Sequence, residues 1–298
     1  MTFLLVLVFT PISFEIAWIC KSKWLTPILG AGATAYPFFV ELSRSSTCAF
    51  LVLCLWVAVQ SALVLIFTIR SPDRMAAMIW RGESYSDGMF EWIQTGNLPE
   101  GEARQVVWTH IKQALLYCVL AVLTANLLSL VLGCALLNYM NFYVASLMRR
   151  SERRILALLT GWNPWSVIRV ASFLWLGTVL AMPLYNWFRH QAPQISRPGL
   201  AIGLSGIVID IILKLAVSKS WSRKIQSNLA TVFLLLSFCT GVFASNAPKI
   251  ELLTIRGKSQ KLYRYSEHEN NGKILLIPGD RGWHGFPVSV ALKLVSWD

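Results

Sequence analysis

Apolar residues in this chain run in long unbroken blocks rather than alternating or recurring on one helix face, and polar residues collect in the gaps between the blocks. A bilayer core about 30 Å thick takes about 20 apolar residues in a helix, because only a helix satisfies its own backbone in lipid. Six stretches meet that condition: residues 2–19, 47–69, 113–137, 166–187, 199–217 and 229–244. The stretch from Trp24 to Val40 is also apolar, but Pro27, Gly30, Gly32 and Pro37 interrupt it. It reads as an interfacial or re-entrant piece, with a seventh span as the alternative. The pattern predicts an all-α polytopic membrane bundle over residues 1–247 and a short α/β-type tail over 248–298.

Composition narrows the class. Of 298 residues, 55% are apolar and only 14% charged, and the mean hydropathy is +0.54, which excludes a water-soluble globule. The net charge of +12 sits in short runs between apolar blocks. Nucleic-acid binding needs cations gathered on one folded face, so the partner implied is the lipid bilayer. Six Cys lie in or beside apolar blocks, with no CxxC pair and no His at metal-ligand spacing, so they read as packing residues and imply no metal or cofactor.

The charge then reads as topology. Lys21, Lys23, Arg44, the run Arg149, Arg150, Arg153 and Arg154, and the group Lys219, Arg223 and Lys224 fall on one side of a six-span bundle. Arg70, Arg74, Arg81, Arg104, Lys112, Arg189 and Arg197 fall on the other. The first side carries the excess of cations and is the cytoplasmic one, which places the tail after Ala244 outside a bacterial inner membrane.

Local signals refine the elements. The third block stays helix-like to Met148, with Asn138 and Asn141 marking its exit from the membrane. Trp162-Asn163-Pro164-Trp165 is a helix start at a membrane surface, with Asn to cap and Pro in the first turn. Between Arg70 and Lys112, Met75, Met78 and Ile79, then Met89, Phe90, Trp92 and Ile93, recur at near-helical spacing and predict short amphipathic helices on the outer surface. Asn97-Leu98-Pro99-Glu100, followed by Glu102, predicts a capped helix start.

Ionisable groups inside a membrane are functional candidates. Asp210 and Lys214 stand four apart on one helix face, as a self-neutralising pair, a Lys reaching for the surface, or an ion relay. Glu15 lies near the end of the first span, within reach of Lys21 or Lys23. Gln60 and Asn126 read as hydrogen-bonding links between helices. Gly199 and Gly203, with Ser205 and Gly206, form a small-residue stripe that permits close helix packing.

The sixth span follows Ser222-Arg223-Lys224 and ends on Ala244-Ser245-Asn246-Ala247, the three parts of a secretory signal, with Pro248 placed to hinder cleavage. Beyond it, Ile250 to Ile255 reads as a strand, Lys261 to Tyr265 as its hairpin partner, and Lys273 to Asp280 as a buried strand leading through a Gly-rich turn into a helix over Pro287 to Val295. Ile274-Leu275-Leu276-Ile277-Pro278-Gly279-Asp280-Arg281-Gly282-Trp283, with Phe286 and the helix after it, resembles the opening of the α/β-hydrolase domain of VirJ and AcvB type bacterial virulence-associated proteins. That family shows a G-D-G-G-W run here, and Arg281 stands where it has Gly. The resemblance implies an oxyanion loop at Gly279, Asp280, Arg281 and Gly282, and an ester or aminoacylated phospholipid as substrate.

A hydrolase of this kind also needs a later Gly-x-Ser-x-Gly elbow, and none follows Gly279; His284 has no nucleophile to serve. The chain is therefore expected to be a piece of a longer protein and catalytically silent by itself. The reading is a membrane anchor for an extracytoplasmic hydrolase-like module. An assembly protein and a small-solute transporter are the alternatives, the latter requiring Asp210 or Glu15 to face a water-filled cavity.

Overall fold

A computed structural model describes residues 1–98, 102–239, 249–255 and 258–264, with side chains described as far as Gln226. The chain divides into two units, Met1–Val232 and Phe233–Asp298.

The first unit is built from helices α1 (Thr2–Cys20), α2 (Leu25–Leu42), α3 (Ser46–Arg70), α4 (Pro72–Met78), α5 (Gly82–Thr95), α6 (Ala103–Leu123), α7 (Leu127–Arg150), α8 (Arg154–Gly161), α9 (Pro164–Phe188) and α10, which starts at Arg197. Six of them are long and apolar enough to cross a membrane: α1, α3, α6, α7, α9 and α10 over Arg197–Gln226. This is an integral membrane helical bundle. Its interior is organised on α7, whose apolar window is 56% buried, against 22% for α1 and α10. Large apolar side chains left exposed on the outer helices, such as Leu4, Leu115 and Ile202, are solvated by lipid rather than water.

Side-chain contacts fix the helix directions. Thr2 of α1 donates to Glu41 of α2, so those two helices are antiparallel. Gln60 and Ser61 of α3 bond Asn138 and Asn141 of α7 at 2.9 Å each, which makes α3 and α7 parallel. Trp175 of α9 donates to the Gly199 carbonyl of α10 at 2.8 Å, and Trp221 of α10 reaches the Thr160 carbonyl at 3.0 Å, which makes α9 and α10 antiparallel.

Several sequence-based expectations change. The block 113–137 is not one span. Thr124-Ala125-Asn126 turns the chain, with Asn126 N–H bonded to the Ala121 carbonyl at 2.9 Å and both Ala125 and Asn126 at positive φ. Gly133 then lies against the Tyr117 ring, as an antiparallel hairpin requires. Side chains apolar on both flanks of the turn hide it from hydropathy. The stretch from Trp24 to Val40 is a continuous helix of 18 residues, about 27 Å, packed between α1 and α3. Pro27 falls in its first turn, where no backbone bond is lost.

Asn138 and Asn141 are buried and bonded to α3, so they join helices inside the bundle rather than mark an exit. The helices predicted between Arg70 and Lys112 exist as α4 and α5, but Met75, Met78 and Trp92 are buried in the bundle rather than laid on its surface. The start expected at Asn97 falls instead at Ala103, after Glu102. Asn163 and Pro164 do begin α9, with Trp165 buried beneath α5 and α10 rather than at an interface.

The described part of the block 229–244, Leu229 to Cys239, is not separated from the fifth span, and residues 240–244 lie outside the described residues. α10 continues without a break to Cys239, 43 residues in all, because no Gly or Pro stands between Gly206 and Cys239. Ser220 and Ser222 satisfy their hydroxyls on carbonyls within that helix.

These changes regroup the cations. Lys21 and Lys23, the α4–α5 region, Arg149 to Arg154 and Lys219 to Lys224 all gather at one end of the bundle. That basic end holds thirteen Lys and Arg, counting Arg70, Arg74, Arg81 and Arg104, against Arg44, Arg189 and Arg197 at the other.

In the second unit, strands β1 (Lys249–Ile255) and β2 (Lys258–Arg264) pair antiparallel, with Ile250 opposite Tyr263 and Leu252 opposite Lys261. A hairpin alone carries no α/β architecture. The strand from Lys273, the loop Gly279, Asp280, Arg281 and Gly282, His284 and the helix from Pro287 lie outside the described residues, as do Ala244 to Pro248.

Candidate functional site

α10 packs on α9 through glycines. A Cβ at Gly203 would overlap Leu176, and one at Gly206 would overlap Ser172 of α9, so the stripe read from the sequence does set a close approach. That approach brings the polar residues of three helices together, one to three turns in from the basic end.

Asp210 of α10 is wholly buried, and its Oδ2 lies 2.9 Å from Nδ1 of His110 on α6. Nε of Arg169 on α9 is 3.2 Å from the same oxygen, although its N–H is not aligned on it. The second carboxylate oxygen, Oδ1, is buried with no hydrogen-bond partner among the described residues. Lys214, 6% exposed, lies 3.3 Å from His110 Nε2. Nδ1–H of His110 therefore donates to Asp210, while Nε2 accepts from the Lys214 ammonium. Asp210 and Lys214 do share one helix face, but His110 bridges them and Arg169 shares the carboxylate. Burying a carboxylate in this way requires such partners.

Arg169 and His110 were not singled out by the sequence. Arg169 carried a usable signal, an Arg four residues into an apolar block starting at Ser166. His110 lay before the block that began at Gln113 and looked like loop.

The cluster borders a cavity of about 370 Å³ enclosed by α3, α5, α6, α7, α9 and α10. Toward the basic end its wall carries all of the cavity's cationic side chains among the described residues, Arg81, Arg169 and Lys214, with Ser84 and Ser166, set beside Met89, Trp92, Leu98 and Trp165. Toward the other end it is apolar, from Trp56, Leu130, Gly133, Leu137 and Phe173. Among the described residues lining it, three are cationic and none is acidic.

The remaining candidates lie elsewhere. Glu15 is exposed on α1 and forms no ion pair with Lys21 or Lys23; the buried acid of the first two helices is Glu41, at the opposite end of α1, bonded to Thr2 and paired with Arg44 at 3.2 Å. Asn126 accepts from Ser129 at 2.5 Å and from Tyr117 at 3.5 Å, which ties the α6–α7 turn. Among the described residues no group of three His, Cys, Asp or Glu is placed to hold a metal. No protein-family model, curated protein or solved structure matches this chain.

Proposed function

We propose that the bundle holds one amphiphilic molecule, with its apolar part among Trp56, Leu137 and Phe173 and its polar head toward Arg81 and Arg169. The observation that carries this is the polarity gradient of the cavity along the direction of the helices. Its volume of about 370 Å³ lies in the range of sites that take small molecules or part of a lipid. The basic end is the cytoplasmic face of a bacterial inner membrane, since cytoplasmic loops carry the excess of Lys and Arg.

The test is native mass spectrometry of the full chain after extraction in detergent. The chain is expected to retain one lipid, and Gly133→Phe, which fills the apolar part, is expected to release it. Equal lipid retention by both would overturn the assignment.

The tail resemblance supports a second element of the same proposal: the bundle serves a hydrolase-like module of the VirJ type, which part of residues 248–298 resembles, acting on an ester or aminoacylated lipid. The sequence features that support it are the Gly279-Asp280-Arg281-Gly282 run after the apolar residues Ile274 to Ile277 and the signal-like run before it. An extracytoplasmic tail requires the chain to re-enter the bilayer after Gln226. Alkaline phosphatase joined after Asp298 is expected to be active; activity only of a cytosolic reporter there would leave α10 a single helix leaving the membrane at the basic end.

A further inference from the structure

Besides its polarity gradient, the cavity wall is rich in rings. Seven of the 26 described residues that line it are aromatic, against 12% of the chain, which is more than twice their share of the sequence.

Their placement on α6 and α9 gives that concentration a shape. The rings of Tyr117 and Phe173 stack across these two helices, with centroids 4.7 Å apart and planes within 10° of parallel. Both helices run away from the basic end, so the residue four back on each stands one turn nearer that end. Those residues are Gln113 on α6 and Arg169 on α9, and both line the cavity. One turn further back on α9 is Trp165, edge-on to Trp92 with centroids 6.0 Å apart, and it lines the cavity too. Arg169 is therefore flanked on its own helix face by Trp165 and Phe173, one turn to either side.

The polar pair at this level has hydrogen bonds left to make. Gln113 is half-buried and has no hydrogen-bond partner among the described residues. On Arg169, Nε lies 3.2 Å from Asp210 and Nη2 lies 3.4 Å from Ser166 Oγ, while Nη1 has no partner among the described residues. A guanidinium only donates, so the group it meets in the cavity must accept, and a neutral carbonyl oxygen accepts without bringing a charge. A molecule placed to accept from Arg169 and Gln113 lies against rings, where a flat unsaturated ring gains more than a saturated chain.

Resting on the amphiphile reading above, we infer that the bound molecule is of the quinone type: a flat unsaturated ring bearing a carbonyl oxygen, carried on an apolar tail. The carbonyl accepts from Arg169 and from the Gln113 amide, the ring packs against Trp165 and Phe173, and the tail extends toward Leu130 and Leu137. A saturated lipid ester can meet the donors but gains nothing from the rings.

The experiment uses the full chain, delipidated in detergent and titrated separately with decylubiquinone and with methyl dodecanoate, a saturated neutral ester, at equal mole fractions in the micelle. Bound ligand is read by native mass spectrometry. Decylubiquinone is expected to bind about tenfold or more tightly than the ester. Phe173→Leu, which keeps an apolar side chain and removes the ring, is expected to cut that advantage to about threefold or less. Gln113→Leu is expected to weaken decylubiquinone by about fivefold. Gln113 bonds no other described residue, so this variant keeps the test decisive if Phe173→Leu does not fold.

A quinone preference that falls in these variants supports the inference. Equal binding of quinone and ester overturns it and leaves the amphiphile reading standing. A preference indifferent to both substitutions places the quinone elsewhere and overturns it as well. Binding of neither probe by a chain that retained lipid on extraction overturns the quinone inference alone; binding of neither, with no lipid retained, overturns both.

Discussion

His110 Nδ1 and Asp210 Oδ2 meet at 2.9 Å across one hundred residues of sequence, both buried, and so tie α6 to α10. Removing one member of a buried pair strands the other without solvent, which costs about 3–5 kcal/mol. Asp210→Ala is expected to lose that much stability in reversible unfolding of the purified chain. The double variant Asp210→Ala, His110→Ala should lose less than the two single losses added together, since each change removes the group the other leaves stranded. Strict additivity would show the pair to be energetically uncoupled.

The α9–α10 contact gives a contrast between glycines. Gly206→Val must displace Ser172 and Gly203→Val must displace Leu176, so both should lower the melting temperature in detergent. Gly32→Ala meets nothing within 4 Å and should leave it unchanged or slightly raised. Equal tolerance at all three positions would mean that α9 and α10 do not touch along this stripe.

At the α6–α7 turn, Ala125 holds φ 48, a conformation that disfavours a Cβ. Ala125→Gly is expected to stabilise the chain by about 0.4–1 kcal/mol, the relief of strain exceeding the added freedom of the unfolded chain. A fall in stability would place the residue outside the left-handed region.

Sidedness is open to reporters. Alkaline phosphatase joined after His190 should be active and a fusion after Arg153 inactive, with a cytosolic reporter showing the opposite pattern. Activity of alkaline phosphatase after Arg81 would restore the arrangement in which the Arg70 to Lys112 region faces outward.

The spans 2–19, 47–69, 166–187 and 199–217 were legible because hydropathy over twenty residues needs no knowledge of packing. What failed was every judgement that depended on a boundary inside apolar sequence. The hairpin at Ala125 is closed by backbone bonds and an Asn, with no Gly or Pro to announce it. α2 was obscured by prolines that a first turn and a packed bundle tolerate. Each missed turn moves the next loop to the opposite face, so the Arg70 to Lys112 region was assigned to the wrong end while Arg149 to Arg154 was not. At the site, Asp210 and Lys214 were visible as intramembrane charges, but their partners came from helices 40 or more residues away, which no local pattern reports.

The depth of Asp210 has a consequence for how the protein is made. It stands nine residues from Lys219, about 13 Å along α10, which is close to the bilayer midplane when Lys219 sits at the boundary. A lone carboxylate is least tolerated there. His110 and Arg169 precede it in the chain, so both are already synthesised when α10 leaves the ribosome. α10 therefore enters the lipid with the partners of its carboxylate already laid down before it, which lowers the cost of carrying that charge into the bilayer.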